Sequence, residues 1–301
     1  MVDVDSYVQK VSDDVYMIDP AVFDVKGYLS IYFVAGENPL LFDVGPSSTA
    51  DRVSAAVESI GYRGSQIEYL FVSHIHVDHA GAISKIAEWA RNAKVVVAPS
   101  GMRHLVDPSK SYQAFVGLFE EFGRNIGEFP PVPQNRLMNA PVEIKLGSQT
   151  ARVISCTGHA HHQICLLLDK LFLGADVLGT QIRLGDRFLP TSAPPAFNYL
   201  KYTEDLDTIL SLNIEKLCIS HYGVHDDVTG TITKAIDSVK WLRVQTDLLL
   251  KEGLSPEETA ETILKRYLAQ NQDINYKLAY LHARANILGL INSVQKIQTG
   301  R

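Results

Sequence analysis

The sequence predicts an α/β protein: a strand-rich sandwich with interspersed helices that ends in a wholly helical segment. Three observations carry that prediction. Short apolar runs bounded by turn residues recur from Val15 to about Ser220, as buried strands require. Between 142 and 176 the breaks separating such runs are short and polar, which suits antiparallel hairpins. From Val228 onward the pattern is helical, in segments at roughly 228–252, 255–269 and 274–297. Residues 1–252 are therefore expected to form the sandwich domain and 253–301 a C-terminal helical appendage.

In order along the chain, VYMID, YLSIYFVAG and PLLFDVG read as strands between Val15 and Val44, punctuated by Gly27 and the Gly36-Glu37-Asn38-Pro39 turn. Ser47 to Ile60 is amphipathic, with Ser47, Ser48 or Thr49 as N-cap and Gly61 just past its end. Tyr69 to Val72 is a buried strand, Ala80 to Arg91 a helix, and KVVVAP at 94–99 another strand. Tyr112, Phe115, Phe119 and Phe122 then recur at helical spacing ahead of the Pro-rich run EFPPVPQNR. Segment 100–136 is either a helix burying an aromatic stripe in the core or a lid whose aromatic face lines a pocket. The strands VEIKL, TARVISCTG, ICLLLD and LFLGAD follow, then a Pro-rich loop (189–195), the helix Thr203 to Leu212 and the strand EKLCIS. Ser255-Pro256-Glu257-Glu258 opens a helix with a good N-cap. The segment 274–297 is apolar around much of its circumference, so it is either buried in the appendage or mediates self-association as a homodimer.

The 301 residues, 46% hydrophobic and 21% charged, suffice for a sizeable core. A net charge of -6 gives no electrostatic footprint for a nucleic acid or an anionic membrane. The longest apolar stretch, Ile164 to Gly179, is broken by Asp169, Lys170 and Asp176 and is no membrane span. The N-terminus lacks the apolar core of a signal peptide. Cys156, Cys165 and Cys218 stand singly, without a C-x-x-C pair. A cytoplasmic protein without disulfides is expected, acting on a small molecule.

The chemistry concentrates in Ser73-His74-Ile75-His76-Val77-Asp78-His79-Ala80-Gly81, at a strand-to-helix turn. Side chains two apart in an extended strand end point the same way, so His74 and His76 can share one metal. Once the chain turns, Asp78 and His79 serve a second ion. Eight of the ten histidines fall in three clusters, His74/His76/His79, His159/His161/His162 and His221/His225; His104 and His282 lie outside. Each cluster follows an apolar run, and a fourth such run ends at Asp176. Imidazoles and carboxylates can thus converge at one sheet edge without unpaired charge entering the core. Nitrogen and oxygen donors suit zinc, with iron or manganese as alternatives.

The motif H-x-H-x-D-H at 74–79 resembles that of the metallo-β-lactamase superfamily of hydrolases, over about Val15 to His225. The resemblance implies a four-layer αββα sandwich. It also implies that His74, His76 and His159 bind one ion, that Asp78, His79 and His221 bind the other, and that Asp176 bridges the two Zn2+. Asp43 in LLFDVG matches an early acidic residue of the family and is expected to fix a ligand histidine by accepting its other ring N–H. The family often shows G-H-x-P-G-H at the third ligand, where this chain has Gly158-His159-Ala160-His161-His162. His159 is the expected ligand, with His161 and His162 supporting it or facing the substrate. His221 is preferred over His225 as the last ligand, and Tyr222 is a candidate to contact substrate. Tyr199, Tyr202, Arg183 and Arg187 are weaker candidates. Asp176 stands where a cysteine would point to the antibiotic-hydrolysing branch.

Two cations about 3.5–4 Å apart lower the pKa of a water between them from about 15.7 towards about 7. The expected function is therefore dinuclear zinc-dependent hydrolysis of a small ester, thioester, lactone or phosphodiester, the hydroxide held between the ions acting as nucleophile. Asp78 would orient that hydroxide and pass its proton on. The motif is also similar to those of glyoxalase II and the acyl-homoserine lactonases. The alternatives are an iron-dependent oxygenase or redox member of the same fold, or a metal-dependent nuclease. Flavo-diiron proteins carry glutamate at the second motif histidine, where this chain has His76.

Overall fold

The computed structural model describes residues 4–181, 188–193, 195–268 and 276–299. Two sheets stack face to face. The first holds β1 (Val8–Lys10), β2 (Val15–Ile18), β3 (Ile31–Val34), β4 (Leu40–Phe42), β5 (Tyr69–Phe71), β6 (Lys94–Val97) and β7 (Leu137–Asn139) in that spatial order. The second holds β8 (Glu143–Leu146), β9 (Gln149–Ser155), β10 (Ile164–Leu168), β11 (Leu171–Ala175), β12 (Lys216–Ile219) and β13 (Gly223–His225), ordered β13-β12-β11-β10-β9-β8. β8 to β11 pair antiparallel throughout, and β11 pairs parallel with β12. The helices are α1 (Ala50–Ser59), α2 (Val77–Ala80), α3 (Ile83–Trp89), α4 (Met102–Val106), α5 (Ser109–Asn125), α6 (Tyr199–Ser211), α7 (Val228–Lys251), α8 (Pro256–Leu268) and α9 (Tyr276–Thr299).

The strands β3, β4, β10 and β11 read as unbroken apolar runs because both of their faces are buried, whereas β8 and β9 alternate with exposed polar residues. In β3, Ile31 and Phe33 point into a cluster shared with α1 and α3, while Tyr32 and Val34 point between the sheets. In β10, Cys165 and Leu167 face a cluster shared with α6 to α9, while Leu166 and Leu168 face the first sheet. This two-residue alternation sorts one chain into helix, sheet, sheet and helix layers. The helices beyond residue 253 belong to that outer cluster: Ala260, Ile263, Ile287 and Leu290 pack with Phe172, Leu217 and Val239. The three cysteines are free and buried. Among the described residues, no helix is long and apolar enough to cross a membrane.

Three differences from the sequence pattern have physical causes. β1, β7 and β13 have three residues each, too few for periodicity to be read; their neighbours in the sheet define them. The helix expected from Ala80 starts inside the motif, at Val77, breaks at Gly81-Ala82 and resumes at Ile83. Segment 100–136 both packs on the core and borders a cavity. Tyr112, Phe115 and Phe122 pack against the core and Phe119 is buried, while Phe115 and Phe119 also line a cavity over the sheet edge.

Candidate metal centre

The site lies where strands of both sheets end. β4 runs into Asp43, β5 into His74 and His76, β9 towards His159, β11 into Asp176 and β12 into His221. β4 and β5 are parallel, as are β11 and β12. β9 points the same way as β11, because each pairs antiparallel with β10. All these ends therefore meet at one rim. Backbone bonds lock the two sheets together there: Ser30 N–H donates to Ser220 O at 2.7 Å and Ile164 N–H to Ser73 O at 2.9 Å. Gly158 is required at its position, since a Cβ there would lie 2.2–2.3 Å from the Tyr202 backbone at the start of α6.

Two groups of donors share this rim. His76 Nδ1 lies 3.0 Å from His74 Nε2 and 3.0 Å from His159 Nε2. Beside them, His79 Nε2 lies 3.2 Å from Asp176 Oδ1 and 3.7 Å from Asp78 Oδ2. His221 Nε2 lies 3.3 Å from Asp78 Oδ2 and 3.7 Å from Asp176 Oδ1. Asp176 reaches both groups, its Oδ2 standing 3.7 Å from His159 Nε2. Six of the seven side chains are buried and His76 is half-buried.

The opposite ring nitrogens decide what these atoms can accept. His79 Nδ1 donates to Asp43 Oδ2 at 3.0 Å, His221 Nδ1 to the Tyr28 carbonyl at 2.8 Å, and His159 Nδ1 to the Thr191 carbonyl. Those partners only accept, so each imidazole, in its neutral form, turns the lone pair of its Nε2 into the site. His74 Nδ1 is tied to Ser73 Oγ at 2.9 Å. Ser73 in turn donates to Asp43 through both its amide and its hydroxyl, at 2.8 Å each. Ring nitrogens thus face one another and carboxylates at the rim. His79 Nε2 and Asp176 Oδ1 are buried 3.2 Å apart, and among the described residues neither makes a hydrogen bond of good geometry. A cation satisfies such atoms and leaving them bare is costly, so the donor set fits divalent metal ions. His74, His76 and His159 form one grouping; Asp78, His79 and His221 form a second; His74, His79 and Asp176 also lie within mutual reach.

The electrostatics of the two groups differ. Burial, reinforced by the neighbouring imidazoles, keeps His74 well below the usual histidine range. Burial likewise brings His76 to about 4 and His159 to about 3, against the pull of Asp78 and Asp176. His79 goes the other way: burial opposes its charge, but Asp176, Asp78 and Asp43 together outweigh burial and raise it to about 10. Burial also disfavours the Asp78 carboxylate, yet His79, His221 and His76 hold it well below the usual range.

A matching family model, the Metallo-beta-lactamase superfamily, spans residues 24–221. The chain belongs to that superfamily. It is 23% identical over 205 residues to a metallo-beta-lactamase fold-containing protein of Sulfurisphaera tokodaii, covering 65% of this chain and 73% of the relative. It is 23% identical over 237 residues to a beta-lactamase-like protein 2 homolog of Caenorhabditis elegans, covering 76% of this chain and 68% of the relative. Among solved structures, an archaeal superfamily protein from Sulfolobus tokodaii superposes with a TM-score of 0.69 at 19% identity, over 95% of this chain and 99% of the other. A family protein from Thermus thermophilus gives 0.64 at 16%, over 90% and 89%. The Rm3 metallo-beta-lactamase gives 0.58 at 15%, over 78% and 93%. At these identities the likeness shows the fold, the αββα sandwich with its C-terminal helices.

Other sequence candidates fall in different places. His161 and His162 line the cavity with His104; their rings stand 4.6 Å apart, and burial presses His162 down to about 2. Tyr222 and His225 do not border the cavity, a correction to their expected place at the site. The Tyr222 hydroxyl donates to Asp19 at 3.3 Å, and His225 Nε2 donates to the Tyr222 carbonyl at 3.2 Å. Tyr222 leads into β13 and His225 ends it. Tyr202 is buried in the outer core and Tyr199 lies beneath the Arg243 guanidinium, so neither faces the pocket. Arg183 and Arg187 lie outside the described residues.

The structure adds residues that the sequence pattern did not single out. The Tyr28 and Thr191 carbonyls act through backbone, which no side-chain pattern reports. His282 and Asn286 of α9 line the cavity beside Asp78 and His221. Their four-residue spacing was the available signal, hidden within a helix that is apolar on most sides.

Proposed function

We propose that the protein is a dinuclear zinc-dependent hydrolase whose substrates are small esters, thioesters or lactones with an apolar acyl part. The supporting observation is the convergence of seven His and Asp side chains in three overlapping groups of mutual ligand reach, two of whose buried atoms, His79 Nε2 and Asp176 Oδ1, make no hydrogen bond among the described residues. His74, His76 and His159 would hold one ion and Asp78, His79 and His221 the other, with Asp176 between them. When bound, two such ions supply Lewis acidity and a water that ionises near neutral pH.

The chain's own groups set the rest. Asp43, Tyr28 O and Thr191 O hold the imidazoles in the tautomer that presents Nε2. Asp78 borders the cavity, where its carboxylate can take a proton and return it to the leaving group. A cavity of about 260 Å³ opens over these residues. Ala114, Phe115, Leu118 and Phe119 of α5 form one wall and Ala193 and Ala196 the other, a surface that excludes water and accepts hydrocarbon. That lining favours carboxylic esters over a phosphodiester, which would leave its charged backbone against apolar carbon.

Elemental analysis of the purified protein, with turnover of an ester, a thioester, a lactone and a phosphodiester, tests the reading. About two zinc ions per chain and hydrolysis of an acyl substrate are expected. His76→Ala and Asp78→Ala should abolish turnover while the chain stays folded. A single iron with oxygen consumption, or full activity in either variant, would overturn the assignment.

A further inference from the structure

Helix α9 lines part of the pocket, and the two polar side chains that it brings there have unused hydrogen-bonding capacity. His282 and Asn286 are four residues apart on α9, hence on one face of it. The His282 ring lies 5.5 Å from that of His221, 6.1 Å from Tyr28 and 5.9 Å from Phe119. Its nitrogens make no hydrogen bond among the described residues, and the residue lines the cavity.

Asn286 is 1% exposed. Its Oδ1 accepts the Ser192 amide at 2.6 Å, and its own carbonyl accepts the Ser192 hydroxyl at 2.6 Å. A backbone N–H can only donate, so the orientation of the amide is settled: oxygen towards Ser192, nitrogen away from it. That Nδ2 is buried and makes no hydrogen bond among the described residues. A buried amide donor without a hydrogen bond among the described residues is costly unless a ligand completes it, and one turn away the His282 imidazole borders the same cavity, which Asp78 and His221 also line.

We propose that His282 and Asn286 form a subsite for an uncharged hydrogen-bonding group of the substrate, an amide or ketone carbonyl close to the reacting carbonyl. The inference rests on the hydrolase reading and narrows its substrate class to acyl compounds that carry a second, neutral acceptor beside the scissile bond. Asn286 contributes the N–H that receives the acceptor and His282 the second contact. The aromatic rings of Tyr28 and Phe119 around His282 supply no countercharge, so a carboxylate or phosphate gains little at this position. The apolar wall of α5 takes the hydrocarbon beyond it.

The test needs no turnover. The metal-loaded full chain is titrated calorimetrically with N-hexanoylglycine and with nonanoic acid, carboxylates of matched length that differ in the internal amide. The wild type should bind the amide-bearing acid roughly tenfold more tightly, the worth of one or two neutral hydrogen bonds. Asn286→Asp keeps the acceptor for Ser192 but removes the donor. His282→Phe keeps a ring and disturbs no hydrogen bond of the fold. Each should bring the two affinities towards equality, and His282→Gln should restore part of the difference. Equal binding by the wild type, or a preference that neither variant lowers, would overturn the subsite. The ethyl ester of N-hexanoylglycine is assayed in parallel: an intact binding preference without hydrolysis would count against the hydrolase reading and leave the subsite standing.

Discussion

Two halves of one metal centre, side by side on the same rim, are built on opposite electrostatic plans. The His74/His76/His159 half consists of neutral nitrogens that burial has already stripped of protons, with His76 at about 4 and His159 at about 3. The Asp78/His79/His221 half is rich in carboxylate, and there His79 is raised to about 10. Sheet geometry accounts for the difference. His74 and His76 leave β5 in extended backbone next to His159, whereas Asp78 and His79 sit on the first turn of α2, facing Asp176 at the end of β11. The first half offers lone pairs ready for a cation. The second offers negative charge partly neutralised by a proton that a cation must displace.

The largest effect should come from removing the residue that belongs to both halves. Asp176→Ala is expected to cost the protein both ions and all turnover. His76→Ala should empty chiefly the nitrogen-rich half, leaving about one ion per chain by elemental analysis. Equal loss from the two variants would break the distinction between the halves. Next comes Asp43→Ala. Asp43 touches His79 directly and His74 through Ser73, so metal affinity should fall about 10–100-fold, measured by chelator competition. The smallest effect is protonic. Near neutral pH His76 and His159 lie above their titration ranges and have no proton to lose, whereas His79 lies below its raised value and holds one. Filling the carboxylate-rich half should therefore release protons, and its affinity should weaken as pH falls through the neutral range. The nitrogen-rich half should hold its affinity until the pH approaches about 4. Calorimetry in buffers of different ionisation enthalpy reads this directly, and matched proton release at both steps would refute the contrast.

The fold was legible because the strands that form it have both faces buried: β10 and β11 are apolar at every position. The short strands β1, β7 and β13 were not, since three residues show no period. Tyr222 and His225 looked like site residues because they adjoin His221. The turn into β13 directs them to Asp19 and to local backbone instead, and proximity in sequence carries no information about that turn.

By itself the sequence determined the superfamily, the αββα layering and the side chains able to bind metal. The superfamily and its layering follow from the resemblance that the H-x-H-x-D-H motif carries, the α/β class from strand periodicity, and the candidate ligands from donors placed just after strand ends. Only the tertiary structure decided how the donors divide into two unlike halves, which backbone carbonyls set the imidazole tautomers, and that α9 brings His282 and Asn286 to the pocket. Each of these rests on contacts between residues far apart in the chain: 193 positions separate His221 from Tyr28, and 94 separate Asn286 from Ser192. Packing creates such neighbours, and no periodicity along the chain encodes them.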